Sequence, residues 1–204
     1  MKKKNGITVL SSEVKYSKRG LKVVEENFRH KHGDGEYRYI VLAPQVRVVP
    51  LTPEGNFVLI NEFKYPQNEF VLGFPAGTVE GGESFLEAAK RELGEETSYT
   101  AESFIDFGPY LPLAAAVEQE AHAVLALDVR PGPTVVNPDA YERTSIKAVV
   151  WKFNELVDAV HGNKLLDGQA LAVLLKAFIY LGVFQISDVS DRLRSAALSK
   201  RKVA

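Results

Sequence analysis

At 204 residues the chain has room for one large domain or for a core domain with an appendage, and its 46% hydrophobic and 25% charged residues are ordinary globular values. Lys and Arg number 25 against 26 Asp and Glu, a formal net charge of −1, so no global field favours a nucleic acid partner. The absence of cysteine excludes disulfides, thiolate metal sites and a cysteine nucleophile.

The start, Met1 to Gly6, is basic, but the apolar run behind it, Ile7 to Leu10, is too short for a signal-peptide core. The longest apolar stretch, Ala170 to Phe184, contains Lys176 and falls short of the ~20 residues that a membrane span needs. A soluble, cytoplasmic protein with no membrane partner is expected. Three strands are expected first: Ile7 to Tyr16, Leu21 to Phe28, and Tyr37 to Leu42 behind a turn at Gly33-Asp34-Gly35. Three strands cannot bury both faces alone. Residues 1–43 are therefore read as a small antiparallel β subdomain that packs on the main domain or on another subunit. His30 and His32 are two apart on one face; no third ligand has matching spacing, and they are read as solvated histidines beside a turn.

After Ala43-Pro44, Val46 to Leu51 and Phe57 to Phe63 flank Thr52-Pro-Glu-Gly-Asn56, a hairpin turn. Phe70 to Phe74 is a further strand running into Pro75-Ala76-Gly77. The bend Gly77 to Glu83 then leads into a helix opened by Ser84, where Ser84-Phe-Leu-Glu87 has the form of a capping box. Leu86, Ala89 and Leu93 give an apolar stripe, and the other face is expected to be acidic. Glu92, Glu95 and Glu96 stand at i, i+3 and i+4, with carboxylates within about 6 Å of one another. They also lie near the helix C-terminus, where the dipole disfavours negative charge. A hard divalent cation relieves both problems: carboxylate oxygens suit Mg²⁺ or Mn²⁺, and such an ion can bridge phosphate oxygens. Arg91 is expected to pair with Glu83 and tie the bend to the helix.

Beyond the helix, Phe104 to Tyr110 and Ala121 to Val129 read as strands around a connection, Leu111 to Glu120, whose Glu118 and Glu120 are candidate mobile general bases. Ser145 to Trp151 is another strand. Asn154 is read as the N-cap of a helix, Glu155 to His161, and Gly168 to Val183 as an apolar core helix. The main domain is placed at 44–186 and a C-terminal tail at 187–204. The element order suggests an α/β/α sandwich around a mixed β-sheet, preceded by the N-terminal subdomain.

Gly77, Glu83, Arg91, Glu92, Leu93, Glu95 and Glu96 fall in the register of the Nudix box, and the stretch resembles that family. Ser98 stands where the family has a C-capping glycine and Tyr99 where it has an aliphatic residue. The resemblance spans about residues 36 to 184 and implies the Nudix fold with the N-terminal strands of ADP-ribose and nucleotide-sugar pyrophosphatases. In that group these strands commonly exchange between subunits of a homodimer. It implies a Mg²⁺-dependent pyrophosphatase (with Mn²⁺ as the alternative ion) that cleaves ADP-ribose, GDP-mannose or a similar nucleoside diphosphate sugar to a nucleoside monophosphate and a sugar phosphate. Glu92 and Glu96 would be the principal metal ligands, with Glu95 and the backbone of Ala76 beside them, and Gly77, Glu83 and Arg91 would be structural. Lys64 stands where an arginine is usual in the segment Asn61 to Pro66; it and Arg47 are the candidate substrate-binding cations. Pro75-Ala76-Gly77 lacks the acid usual before it, and Pro112-Leu-Ala-Ala replaces a downstream Ser-Pro-Gly, which argues against strict ADP-ribose selectivity. Two alternatives stand beside this reading: a Nudix hydrolase of a dinucleoside polyphosphate or modified nucleotide, and a non-catalytic nucleotide-sugar sensor.

Overall fold

The computed structural model describes residues 3–135, 139–164 and 167–183. The tail expected at 187–204 lies outside the described residues. In chain order the elements are β1 (Lys3–Lys4), β2 (Ile7–Lys18), β3 (Leu21–His30), β4 (Gly33–Val41), β5 (Gln45–Leu51), β6 (Phe57–Lys64), β7 (Glu69–Gly73) and β8 (Ala76–Thr78). There follow α1 (Phe85–Thr97), β9 (Tyr99–Thr100), β10 (Ser103–Tyr110), β11 (Val117–Glu118), β12 (Ala121–Leu127), β13 (Arg130–Pro131), α2 (Glu142–Ser145), β14 (Ile146–Trp151), α3 (Phe153–His161) and α4 (Gly168–Tyr180).

The central sheet runs β10-β12-β5-β6-β14, with β7 also on β6 and β8 also on β5. It is mixed, because β12 lies parallel to β5 while the other pairs are antiparallel. Strand alternation sorts the core into two layers. Val46 and Val48 of β5, Val58 of β6 and Val124 and Ala126 of β12 pack with Ala88, Ala89 and Leu93 of α1. Val49, Phe57, Leu59, Ala123 and Leu125 point the other way, onto Leu156 of α3 and Ala170, Val173, Leu174, Ala177 and Phe178 of α4. Phe57 meets Phe74 and Phe178 edge-on, with ring centroids 6.5 and 6.0 Å apart. The result is the expected α/β/α sandwich, with a full set of side chains on each face worth roughly 1.5–3 kcal/mol per large residue.

The hairpin at Thr52 to Asn56 forms as read: Thr52 N donates to Asn56 O (2.8 Å), Gly55 N to Thr52 O (2.9 Å), and Gly55 takes φ +79°, a conformation that favours glycine. Four details differ from the expectations. In α1 the buried face is Ala88, Ala89, Glu92, Leu93 and Thr97, whereas Leu86 is 37% exposed. The face that enters the sheet is thus set partly by an acid, for a reason found at Gly77 below. The turn before β4 falls at Lys31-His32, and Gly33 to Gly35 already belong to β4; the His30 and His32 rings lie 5.1 Å apart at this turn. Helix α3 begins at Phe153, with Lys152 rather than Asn154 at its N-cap, because the Glu155 carboxylate accepts from Lys152 N at 2.7 Å. The Leu111–Glu120 connection is not a plain loop. Ile40 N donates to Ala116 O (2.9 Å) and Leu42 N to Glu118 O (3.0 Å), so β11 joins the N-terminal sheet β1-β2-β3-β4-β11 as a parallel fifth strand. Among the described residues no helix is long and apolar enough to cross a membrane.

Candidate active site

Both ends of α1 are capped by its own sequence. Ser84 Oγ accepts from Glu87 N (3.3 Å) while the Glu87 carboxylate accepts from Ser84 N (2.7 Å), the reciprocal box that Ser84-x-x-Glu87 announces. At the other end Ser98 takes φ 58°, ψ 32° and donates its N–H to Gly94 O at 2.9 Å. The left-handed geometry of a C-capping glycine is therefore kept, with a serine bearing the strain. No basic residue occupies the last turn, so Glu92, Glu95 and Glu96 face an unfavourable helix dipole.

Arg91 offsets part of that charge. Its Nη2 donates to Glu83 Oε1 (2.6 Å) and its Nε to Glu83 Oε2 (3.2 Å), a two-point pairing across the bend. Its Nη1 donates to Glu92 Oε1 (2.8 Å) and Glu95 Oε2 (3.1 Å), and Nη2 also to Thr78 O (2.9 Å). One guanidinium thus holds three carboxylates and the backbone of β8. The Arg91 contact, reinforced by the Glu80 N–H (2.8 Å), holds the Glu83 carboxyl below its usual range, although burial opposes this. The same partners push the Arg91 guanidinium further toward its charged form.

Glycine at 77 is required by a close approach rather than by its backbone angles. A Cβ there would lie 1.8 Å from Glu92 Oε1 and 2.1 Å from Glu92 Cδ. The Glu92 carboxylate thus occupies the space a side chain at Gly77 would take, and Glu92 is only 6% exposed. This is why Glu92 sits on the buried face of α1. One residue earlier, Ala76 N donates to Glu96 Oε2 at 2.9 Å. The bend at Ala76-Gly77 therefore gathers Glu92 and Glu96, and Arg91 draws Glu95 toward the same place. Among the described residues no three His, Asp or Glu side chains already converge as a ligand set. The donor chemistry nonetheless fits a hard divalent ion: all the candidate side-chain ligands are carboxylate oxygens, and the missing Cβ of Gly77 is what lets one of them reach the backbone.

Ala76 also lines a cavity of about 250 Å³ that contains both candidate substrate-binding cations. Arg47, 8% exposed, forms an ion pair with Asp167, Nη1 to Oδ2 at 2.8 Å, and donates to Phe74 O at 3.4 Å, while Lys64 Nζ donates to Glu62 Oε2 (2.5 Å). Among the described residues, Arg47 Nε is buried without a hydrogen-bond partner. Such a group costs about 1–3 kcal/mol. Asp167 is also the N-cap of α4, its Oδ1 accepting from Gln169 N at 2.9 Å. Gln45 Nε2 donates to Gln169 Oε1 (2.5 Å) and Tyr110 OH donates to the same oxygen (2.9 Å), closing the cavity wall. Burial pushes the Tyr110 hydroxyl up, so it is a donor at neutral pH. Asp167, Gln169, Gln45 and Glu62 are residues that reading the sequence missed. The signal for Asp167 was local, an acid directly before a helix start; its pairing with Arg47 had none.

Glu118 and Glu120 are not brought into this cavity. They line a separate hollow of about 630 Å³ with Val41, Leu42 and Tyr110. Glu118 is fixed in β11 rather than carried on a mobile loop. Glu120 has its Oε1 3.5 Å from His122 Nε2; the opposite ring nitrogen is 2.8 Å from Asp106 Oδ2, and the ring stacks on Phe85 at 3.6 Å.

Helices cover both faces of a mixed sheet, and the short strand β8 leads from it through a turn into the acidic helix α1. A crystal structure described as that of an ADP compounds hydrolase superposes with a TM-score of 0.70 over 89% of this chain and 99% of that one, at 22% identity, a likeness of fold. Residues 41–165 match the NUDIX domain, and the chain belongs to that family. It is 29% identical over 118 residues to the ADP-ribose pyrophosphatase of Bacillus subtilis (strain 168), covering 57% of this chain and 64% of that protein. It is 32% identical over 94 residues to the methanol dehydrogenase activator of Bacillus methanolicus, covering 46% of this chain and 51% of that protein. The matches thus span less than two thirds of these relatives.

Proposed function

We propose that this chain is a Mg²⁺-dependent pyrophosphatase, with Mn²⁺ able to serve, that hydrolyses the diphosphate of a nucleoside diphosphate sugar such as ADP-ribose or GDP-mannose. The observation that carries this reading is the position of Ala76. Its N–H holds Glu96, and the same residue lines the cavity of Arg47 and Lys64, so the acids and the two cations meet at one bend. Glu92 and Glu96, with Glu95 and the Ala76 backbone, are the residues that would hold the ion. When bound, a divalent ion supplies Lewis acidity toward a phosphoryl group and neutralises charge on its oxygens. Arg91 keeps the carboxylates in place, and Glu83 keeps Arg91 in place. Lys64 offers a phosphate oxygen a point charge. Glu120 and Glu118 are the candidates for the general base, Glu120 outside β11 with its Oε1 3.5 Å from His122 Nε2 and Glu118 within β11.

The relatives support the substrate class, since one is named an ADP-ribose pyrophosphatase and the similar fold an ADP compounds hydrolase. Residues 1–43 are the proposed dimerisation element: Leu10, Val14, Tyr16 and Tyr37 on β2 and β4 are large apolar groups left exposed in one copy.

The test is Mg²⁺-dependent hydrolysis of ADP-ribose, GDP-mannose, UDP-glucose, a dinucleoside polyphosphate and a nucleoside triphosphate, with Glu96→Gln alongside. Turnover of a diphosphate sugar that falls on the order of 100-fold or more in Glu96→Gln is expected, since the loss removes a charged carboxylate that would hold the ion. Binding without turnover of any member would make the chain a sensor instead.

A further inference from the structure

Helices α3 and α4 enclose an apolar groove of about 300 Å³ on the side of the sheet away from α1. Val157 and Val160 of α3 and Leu171, Leu175 and Phe178 of α4 line it, and His161 is the one polar residue of the lining. Phe153 and Phe178 mark one end, with ring centroids 5.4 Å apart. The groove is open to water: Leu175 is 52% exposed, Val160 38% and Val157 36%. A contiguous apolar surface of this kind calls for an occupant.

The end of α4 turns the chain toward it. Gly182, at φ +66°, donates its N–H to Ile179 O (3.2 Å), and Val183 N donates to Phe178 O (3.0 Å). These are the two bonds of a Schellman motif, which takes the chain off the helix axis. It does so at the Phe153–Phe178 end of the groove. The sequence beyond Val183, outside the described residues, carries one apolar stripe: Ile186, Val189, Leu193 and Ala197 recur at three- and four-residue steps, with Asp188, Asp191, Arg192 and Ser195 between them. The stripe mirrors the groove about Gly182. Phe178, Leu175 and Leu171 stand four, seven and eleven residues before that glycine, and Ile186, Val189 and Leu193 stand four, seven and eleven after it. A helix folded back antiparallel on α4 sets the three pairs opposite one another.

We propose that the segment 184–198 folds back as an amphipathic helix and fills the groove between α3 and α4, with Val189 against Leu175 and Leu193 against Leu171. Tethering favours this segment over a second copy of the chain, because a short linker gives it a local concentration on the order of millimolar. The two apolar surfaces then cover each other, and the charged side of the segment stays in water. The proposal stands apart from the pyrophosphatase reading.

The chain has no cysteine, so a disulfide reports only on the pair introduced. Leu175→Cys with Val189→Cys, and Leu171→Cys with Leu193→Cys, are compared in the full chain under a mild oxidant with Leu175→Cys plus Asp191→Cys. Crosslinks within one chain are expected for the first two pairs, at least about tenfold faster than for the third, whose Asp191 position the docking turns away from the groove. In the cysteine-free chain, Leu193→Asp should lower Tm by about 4–10 °C through the apolar burial lost. The same charge at Ser195, on the far side of the stripe, should leave Tm within about 2 °C. Equal crosslinking rates at Val189 and Asp191, or a Tm indifferent to Leu193→Asp, would overturn the proposal. A crosslink that joins two chains would overturn it as well and place a second copy in the groove.

Discussion

Gly77→Ala tests the packing of the site directly. Gly77 is in β8 without a positive φ, so alanine meets no backbone strain, and its whole effect comes from a methyl placed 1.8 Å from Glu92 Oε1 and 2.6 Å from Oε2. The carboxylate must retreat by well over an ångström to reach ordinary contact. Its retreat is opposed because Glu92 is only 6% exposed and is held by Arg91 Nη1 at 2.8 Å. Crowding of this kind destabilises by about 1–3 kcal/mol. In a protein of this size each kcal/mol lowers Tm by roughly 2–4 °C. If Glu92 holds the ion as proposed, displacing its carboxylate by about 1 Å reduces turnover on the order of 100-fold. The assay is thermal unfolding in EDTA together with kcat in saturating Mg²⁺ for the substrate that wild type turns over. A variant with wild-type kcat and wild-type Mg²⁺ dependence would refute the reasoning, because Glu92 would then not need the space that glycine leaves.

The Glu83–Arg91 pairing predicts an acid dependence. The Glu83 carboxyl is held below its ordinary value of 4.5, chiefly by Arg91, so its stabilisation is complete above that value and is lost as pH falls through the folded-state pKa. The Tm gap between wild type and Glu83→Gln should be constant from pH 5 upward and close progressively below pH 4.5; a gap that widens in acid would reverse the assignment. Ser98→Gly relieves a left-handed serine at φ 58° and should stabilise by about 0.5–1 kcal/mol, a Tm gain of about 1–4 °C, with kcat unchanged. A loss of stability there would mean that the serine side chain contributes more than the strain removes.

Interactions between near neighbours were legible before any fold was known. Ser84 and Glu87 cap each other, Arg91 meets Glu83, and Ser98 holds the geometry expected of a glycine. Each depends on residues no more than eight positions apart, joined by the helix, its caps and the turn that enters it. The same spacing could say that Glu92, Glu95 and Glu96 share a side. It could not say that Glu92 is buried, because its carboxylate takes the space that Gly77, in strand β8, leaves open.

The sequence by itself thus determined the mixed sandwich and the acidic helix, written in periodicity, caps and turn residues, and the family resemblance, carried by the register of Gly77, Glu83, Arg91, Glu92, Glu95 and Glu96. Tertiary structure decided the rest. Strand alternation in β5 puts Arg47 on the face opposite Val46 and Val48, and α4 then brings Asp167 to it from the far end of the chain. Tertiary structure also drew Val117 and Glu118 out of a connection into a sheet edge, because unpaired backbone groups of β4 were there to receive them. Pairings of this kind follow from which surfaces remain unsatisfied once the layers are assembled, and no local pattern records that.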